Sequence, residues 1–199
     1  DVRKDVFYCD AKGSMRRRAA RTVLDGLFRH LVTRLAPLLC FTMEEAWTTR
    51  FGDDSSVHLE LFPHVPEEWR NENLVTSWAR IRTLRRVVTG ALELARKDHV
   101  IGASLEAAPV LYVEDERDVA LIDDHDFAEI AITSAAKIVK GRAPEGAFAL
   151  SEVPGAAVVF DRATGGKCAR CWMILPEVGH QPECDDLCRR CADAVKSAA

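Results

Sequence analysis

Between residues 16 and 35 apolar side chains recur at three- and four-residue steps: Ala20, Leu24, Leu27, Leu31 and Leu35, flanked by Val23, Phe28 and Val32. That period predicts an amphipathic helix with a wide apolar stripe. Pro37 interrupts it, and Thr42-Met43-Glu44-Glu45 reads as a capping box opening a second helix that carries Ala46, Trp47 and Phe51. Residues 52–56 are turn formers, and residues 57–61 alternate briefly, which predicts an extended segment before Pro63. Pro66-Glu67-Glu68-Trp69 reads as a short helix with proline and acids in its first turn. A longer helix is predicted over about 74–97, burying Trp78, Ile81, Leu84, Val88, Ala91, Leu92 and Ala95. Three long helices predict a helical bundle over residues 1–100.

Past Gly102 the texture changes. Residues 108–113 read as a strand and the acidic stretch 116–131 as a helix. Residues 132–134, 137–139, 148–153 and 156–160 read as further short strands. This is the pattern of a small α+β subdomain over 101–163.

Four cysteines then stand in two CxxC knuckles, Cys168-Ala169-Arg170-Cys171 and Cys188-Arg189-Arg190-Cys191, separated by residues 172–187. This is the spacing of a structural zinc site, in which two tight turns bring four thiolates to one Zn²⁺. Two disulfides would need an oxidising compartment, and residues 1–8 are too charged and short for a signal peptide, so a cytoplasmic location is expected. A thioredoxin-type motif would need one CxxC on a βαβ unit. Cys184 breaks the knuckle spacing and reads as a spare thiol, and His180 could enter only if a cysteine turned away. Four thiolates leave no open position, so the expected metal is structural, one per chain. The whole chain therefore reads as a mainly α helical bundle, a small α+β subdomain, and a zinc-binding module over 164–199.

Charge refines the picture. The chain's 199 residues are 48% hydrophobic and 29% charged, with a net charge of −4. That composition suits a soluble globular protein and argues against a non-specific coat on nucleic acid. No apolar run is long enough to cross a bilayer. Residues 16–34 nevertheless carry six arginines against Asp25 alone, and residues 70–97 carry seven positive charges against Glu72 and Glu93. Residues 114–126 carry seven acids against Arg117. A basic half and an acidic later segment suit a polyanion docked on one face, although any single arginine is more simply read as solvating a helix. Arg170, Trp172, Arg189 and Arg190, in or beside the knuckles, suit RNA. For Trp172 the alternative is that it packs over the metal turn. No phosphate-cradling GxxxxGK loop, GxGxxG after a strand or Ser/His/Asp order is present, so no catalytic residue is expected.

The motifs carry a resemblance. Tyr8-Cys9-Asp10, Ser14-Met15-Arg16-Arg17-Arg18-Ala19 and the run from Leu35-Ala36-Pro37 to Glu45-Ala46-Trp47 resemble the anticodon-binding helical domain of class I synthetases for branched aliphatic amino acids. Ile101-Gly102-Ala103-Ser104-Leu105-Glu106 resembles the segment after that bundle in the isoleucine enzymes, with Ala103 where the family usually has lysine. Gly166-Lys167-Cys168-Ala169-Arg170-Cys171-Trp172 and Leu187-Cys188-Arg189-Arg190-Cys191 resemble the C-terminal zinc domain of bacterial isoleucyl-tRNA synthetases.

The resemblance implies a ligase that attaches isoleucine to tRNA(Ile) with ATP. ATP would bind in a catalytic part that these residues do not contain, so the chain is expected to be inactive alone and monomeric. Phosphate contacts would come from Arg16, Arg17 and Arg21 and base stacking from Trp172; Arg170, Arg189 and Arg190 could each pair with phosphate or with thiolate charge, at least one of them balancing the −2 of a zinc tetrathiolate. The alternative is a non-enzymatic zinc ribbon that binds protein or DNA.

Overall fold

A computed structural model describes residues 2–181 and 183–197. The helices are α1 (Lys4–Cys9), α2 (Met15–Leu35), α3 (Cys40–Phe51), α4 (Glu72–Lys97), α5 (Glu116–Asp123), α6 (Phe127–Ala131) and α7 (Arg189–Lys196). The strands are β1 (Val110–Val113), β2 (Lys137–Lys140), β3 (Phe148–Ala149), β4 (Ala156–Val159), β5 (Gly166–Lys167) and β6 (Ile174–Leu175). The architecture is mainly helical, with a small mixed sheet and a cysteine cluster at its C-terminal end. Among the described residues no helix is long and apolar enough to cross a membrane.

Residues 12–71 form one compact unit. Ser14 caps α2 by accepting from the Arg17 N–H at 3.3 Å. The helix packs on α3 through Phe28, Val32 and Ala36, which meet Trp47, Phe51 and Val57. Trp47 and Phe51 lie with ring centroids 4.3 Å apart, and the Trp47 indole N–H donates to the Ser55 hydroxyl at 2.9 Å.

Three local expectations are corrected here. The periodic stripe of α2 is not its buried face: Leu24, Leu27 and Leu31 are 51, 48 and 58% exposed, whereas Val32 on the flank is buried. Periodicity identifies which residues share a face, and the partner helix then chose the neighbouring one. The second helix starts at Cys40, ahead of the Thr42 capping box, because the turn after Pro37 already closes with Leu38 and Leu39 N–H groups on the Leu35 carbonyl. Residues 57–59 are a 3₁₀ turn, not a strand. The Glu44 carboxylate accepts from the Ser56 hydroxyl and the Val57 N–H, both at 2.9 Å, and so curls the chain.

The remaining described residues form the second unit. Here α4 lays Ile81, Leu84, Val87, Val88, Ala91, Leu92 and Ala95 against the sheet residues Leu111, Val113, Ala156 and Val158. The sheet order is β2-β1-β4-β3; β1 and β2 run parallel, and β4 is antiparallel to both β1 and β3. Alternation of burial along β1 and β4 follows the two-residue period of a strand with one covered face. Asp118, 8% exposed, holds the Arg80 guanidinium with Nε at 2.8 Å, fixing α5 to α4.

The acidic stretch, expected as one helix, is broken at residues 124–126, where Asp126 caps α6 by accepting from the Glu129 N–H at 3.0 Å. Residues 132–134, expected as a strand, instead close α6. Ile132 takes left-handed dihedrals (φ 60°), and the buried Ser134 hydroxyl donates to the Leu105 carbonyl while accepting from the Ile174 N–H at 2.7 Å. Ser134 thereby ties the cysteine-bearing hairpin to the α+β core.

Candidate metal centre and basic groove

The first knuckle hangs from the β5–β6 hairpin, in which Gly166 pairs with Leu175 and Lys167 with Ile174. Its turn is closed by the Trp172 N–H on the Cys168 carbonyl and the Cys168 N–H on the Met173 carbonyl, both 2.9 Å. Gly165 makes the entry possible: its φ is +116°, and a Cβ there would stand 2.3 Å from the Leu175 carbonyl. The second knuckle is built on the start of α7, with Cys188 as its N-cap residue and Cys191 in its first turn. An Ala169 N–H bond to the Asp186 carbonyl (2.9 Å) and a Cys188 N–H bond to the Cys168 sulfur (3.3 Å) bring the knuckles together.

All four sulfurs lie within 4.8 Å of one another, buried, and Cys171 and Cys188 are 3.8 Å apart. With zinc–sulfur bonds of about 2.3 Å a tetrahedron has edges of about 3.8 Å, so the cluster fits one four-coordinate zinc. Met173, Leu175, Val178 and Leu187 pack around it as a small apolar shell. Neither Cys184 nor His180 belongs to the cluster, and no disulfide joins any cysteine among the described residues.

The thiols of Cys168, Cys171 and Cys191 differ in how readily they ionise. Burial pushes the Cys191 thiol up to about 12 and drives Cys171 up as well. Burial opposes ionisation of Cys168 too, but backbone N–H groups of Cys171, Cys188 and Arg170 outweigh it and hold that thiol at about 7. Backbone dipoles thus favour the thiolate at Cys168, whereas Cys171 and Cys191 need a positive charge beside them to ionise.

The knuckle arginines divide by direction. Arg170 turns onto α1: its guanidinium donates to the Tyr8 carbonyl at 2.9 Å and to the Cys9 carbonyl. Arg190 also turns onto α1, forking on the Asp5 carboxylate, with one nitrogen at 2.7 Å, and reaching Asp10 at 3.4 Å. The hydrogen bond to Asp5 is the main reason that Arg190 is held above its ordinary value. The sequence offered RNA phosphate or thiolate charge as partners for both; the structure sets both against the chain's own first helix. Arg189 is exposed. Trp172 holds left-handed dihedrals (φ 66°) and is 63% exposed.

In the other unit, Arg16, Arg17 and Arg21 stand on the first turns of α2. Sequence reasoning missed what α3 adds. Arg18, Arg21, Thr22, Asp25, Phe28 and Arg50 line an open groove of about 650 Å³. Arg29 bonds the Asp25 carboxylate at 3.3 Å and holds its pKa below the ordinary value, with Arg50 assisting at 3.1 Å. Arg18 belongs to the triple arginine run visible in the sequence; Arg50 is 29 residues after Arg21, so no local signal marked it.

The fold and the knuckle geometry define a class: the chain belongs to the anticodon-binding domain family of tRNA ligases, matched over residues 1–112. Residues 165–194 match the zinc finger found in FPG and IleRS. Among curated proteins, the chain is 50% identical over 196 residues to the isoleucine–tRNA ligase of Brucella abortus, covering 98% of this chain and 20% of that protein. It is 48% identical over 199 residues to the isoleucine–tRNA ligase of Agrobacterium fabrum, covering 100% and 21%. It is 53% identical over 196 residues to that of Ruegeria pomeroyi, covering 98% and 20%. The chain thus spans about a fifth of the length of these relatives.

Proposed function

We propose that this chain is the tRNA-recognising C-terminal part of an isoleucine–tRNA ligase, a cytoplasmic, monomeric enzyme that attaches isoleucine to tRNA(Ile) with ATP bound in its catalytic part. The region described here performs no chemistry; it docks and reads. The observation that carries the reading is Trp172, an aromatic ring left in solvent on a rigid four-cysteine knot. An unpaired anticodon base can splay out and stack on such a ring, which is worth roughly 1–3 kcal/mol per base. Arg189 stands exposed in the second knuckle and supplies a charge to the same RNA segment. Arg16, Arg17 and Arg21, with Arg18 and Arg50 in the groove, serve as phosphate contacts that position the stem without reading sequence. One structural zinc, when bound, supplies folding free energy to a segment with only a small apolar shell.

The zinc-finger description alone covers FPG as well, and by itself leaves open a protein- or DNA-binding ribbon. The anticodon-binding match over residues 1–112 favours RNA. The test is binding of the chain to tRNA(Ile) and to an anticodon-swapped version over a salt series. Preference for the first at every salt concentration supports anticodon reading; equal affinity leaves phosphate docking alone and refutes it.

A further inference from the structure

Each knuckle carries an arginine immediately before its second cysteine, and both arginines end on the same six-residue helix. From this juxtaposition we propose that Arg170 and Arg190 are positioning residues: they clasp the metal module onto α1 through Asp5, Asp10 and the helix's last carbonyls, and so fix where Trp172 stands. The proposal rests on the tRNA reading for its consequence, not for its geometry.

Helix α1 cannot hold itself. Six residues fall well short of the length at which a helix is stable alone. The N-cap residue Arg3 makes no side-chain cap hydrogen bond, and no basic residue stands in the last turn to meet the negative end of the helix dipole. Arg170 supplies that missing cation from across the fold, satisfying the Tyr8 and Cys9 carbonyls that have no partner further along the helix. Arg190 engages the acidic side chains with a bidentate fork on Asp5, the charge-assisted geometry that lysine cannot reproduce. Between these contacts Cys9 is 5% exposed and packs among the four ligand cysteines, with its sulfur 3.7 Å from the Arg170 carbonyl. Four thiolates around Zn²⁺ carry a net −2, so the two guanidinium groups lie between two negative clusters and bridge them. Trp172 follows Cys171 directly, and so the first knuckle's attachment to α1 sets the ring's position.

A direct RNA role for Arg190 and a clasp give opposite signs for one substitution. Asp5→Ala removes the guanidinium's main partner and leaves it only the Asp10 carboxylate at 3.4 Å on this helix. If Arg190 touched RNA, its release would leave tRNA binding unchanged or strengthen it. If it clasps α1, Asp5→Ala should weaken tRNA discrimination in the same direction as Arg190→Gln.

The experiment is a double-mutant cycle on the full zinc-loaded chain: Asp5→Ala, Arg190→Gln and the pair, read by amide hydrogen exchange over residues 6–10 and by affinity for the two tRNAs. Each single variant should speed exchange by about tenfold or more, the scale of a lost charge-assisted hydrogen bond. Each should also narrow the ratio between the two tRNAs about threefold or more, and the pair should be no worse than Arg190→Gln alone, which already loses both Asp5 and Asp10. Zinc content and the salt slope should stay as in the parent chain, and Asp5→Glu should restore both readouts. Single variants that leave exchange as in the parent chain, or effects that add in the pair, would overturn the clasp. If the parent chain does not distinguish the two tRNAs, the tRNA reading fails, while exchange over α1 still decides whether the clasp exists.

Discussion

Arg190 and Asp5 stand 185 positions apart in the chain, yet the guanidinium of one forks on the carboxylate of the other, with one nitrogen–oxygen distance of 2.7 Å. The contact joins the last metal-bearing helix to the first helix of the chain, so the cysteine cluster is not a pendant at the end of a tether. It is part of the same compact unit as α4 and the sheet. The arginines, which composition alone would assign to RNA, are partly spent on this attachment. That leaves Trp172 and Arg189 as the outward side chains of the knuckles.

Gly165 is the hairpin's steric weak point. Gly165→Ala would place a methyl group against the Leu175 carbonyl in a backbone conformation that alanine rarely adopts. The expected outcome is a large loss of metal affinity, on the order of tenfold or more, measured by competition with a chromophoric zinc chelator. Gly13→Ala, with open space at its Cβ, is the control and should leave metal affinity unchanged.

Metal removal should be local. Metal analysis of the parent chain should return one zinc, and chelation should abolish hydrogen-exchange protection across residues 166–196. Protection in α4 and the sheet should persist, because their core of Ile81, Leu84, Leu111 and Val158 contains no metal ligand. Replacing both Cys188 and Cys191 should reproduce the chelated state.

Thiol reactivity should rank the cysteines outside the cluster. Cys40 is exposed, whereas Cys9 is buried, and burial with the neighbouring Asp5 pushes its thiol up to about 11 from 9.0. At pH 8 an alkylating reagent should therefore modify Cys40 rapidly and Cys9 only on unfolding. Because the folded value is the higher one, the neutral Cys9 thiol contributes its full stability below about pH 9. That contribution falls as pH rises from about 9 to about 11. A Cys9→Ser comparison of melting temperature across that window checks the sign.

Asp118 anchors α5 to α4 through Arg80. Asp118→Ala leaves a partly buried guanidinium without its carboxylate, and should cost about 1–3 kcal/mol in chemical denaturation of this unit. Asp124→Ala, at the exposed end of α5, should change stability by less than about 0.5 kcal/mol.

The parts legible in the sequence were those fixed by local chemistry. Two CxxC turns need only their own spacing to declare a metal site, and the buried face of α4 followed from a helical period matched to a single covering surface. What stayed hidden depended on distant partners. The α2 period marked an apolar stripe, but spacing could not say that α3 would pack on the Phe28–Val32 side. Ile132 sits in a left-handed conformation that a β-branched residue rarely takes, so its segment looked like a strand until Ser134 was seen bonded to Leu105 and Ile174. Arg170 and Arg190 had suitable charge for RNA, and only the fold revealed the carbonyls and carboxylates of α1 beside them.

The most direct measurement is the affinity of zinc-loaded Trp172→Ala for the same two tRNAs, beside the parent chain, over a salt series. A stacking role gives a loss of roughly 5- to 150-fold for the cognate RNA, a much smaller loss for the anticodon-swapped one, an unchanged salt slope, and partial recovery in Trp172→Phe. Identical affinities for parent and variant, with zinc retained, would contradict the assignment of this ring as the reading element.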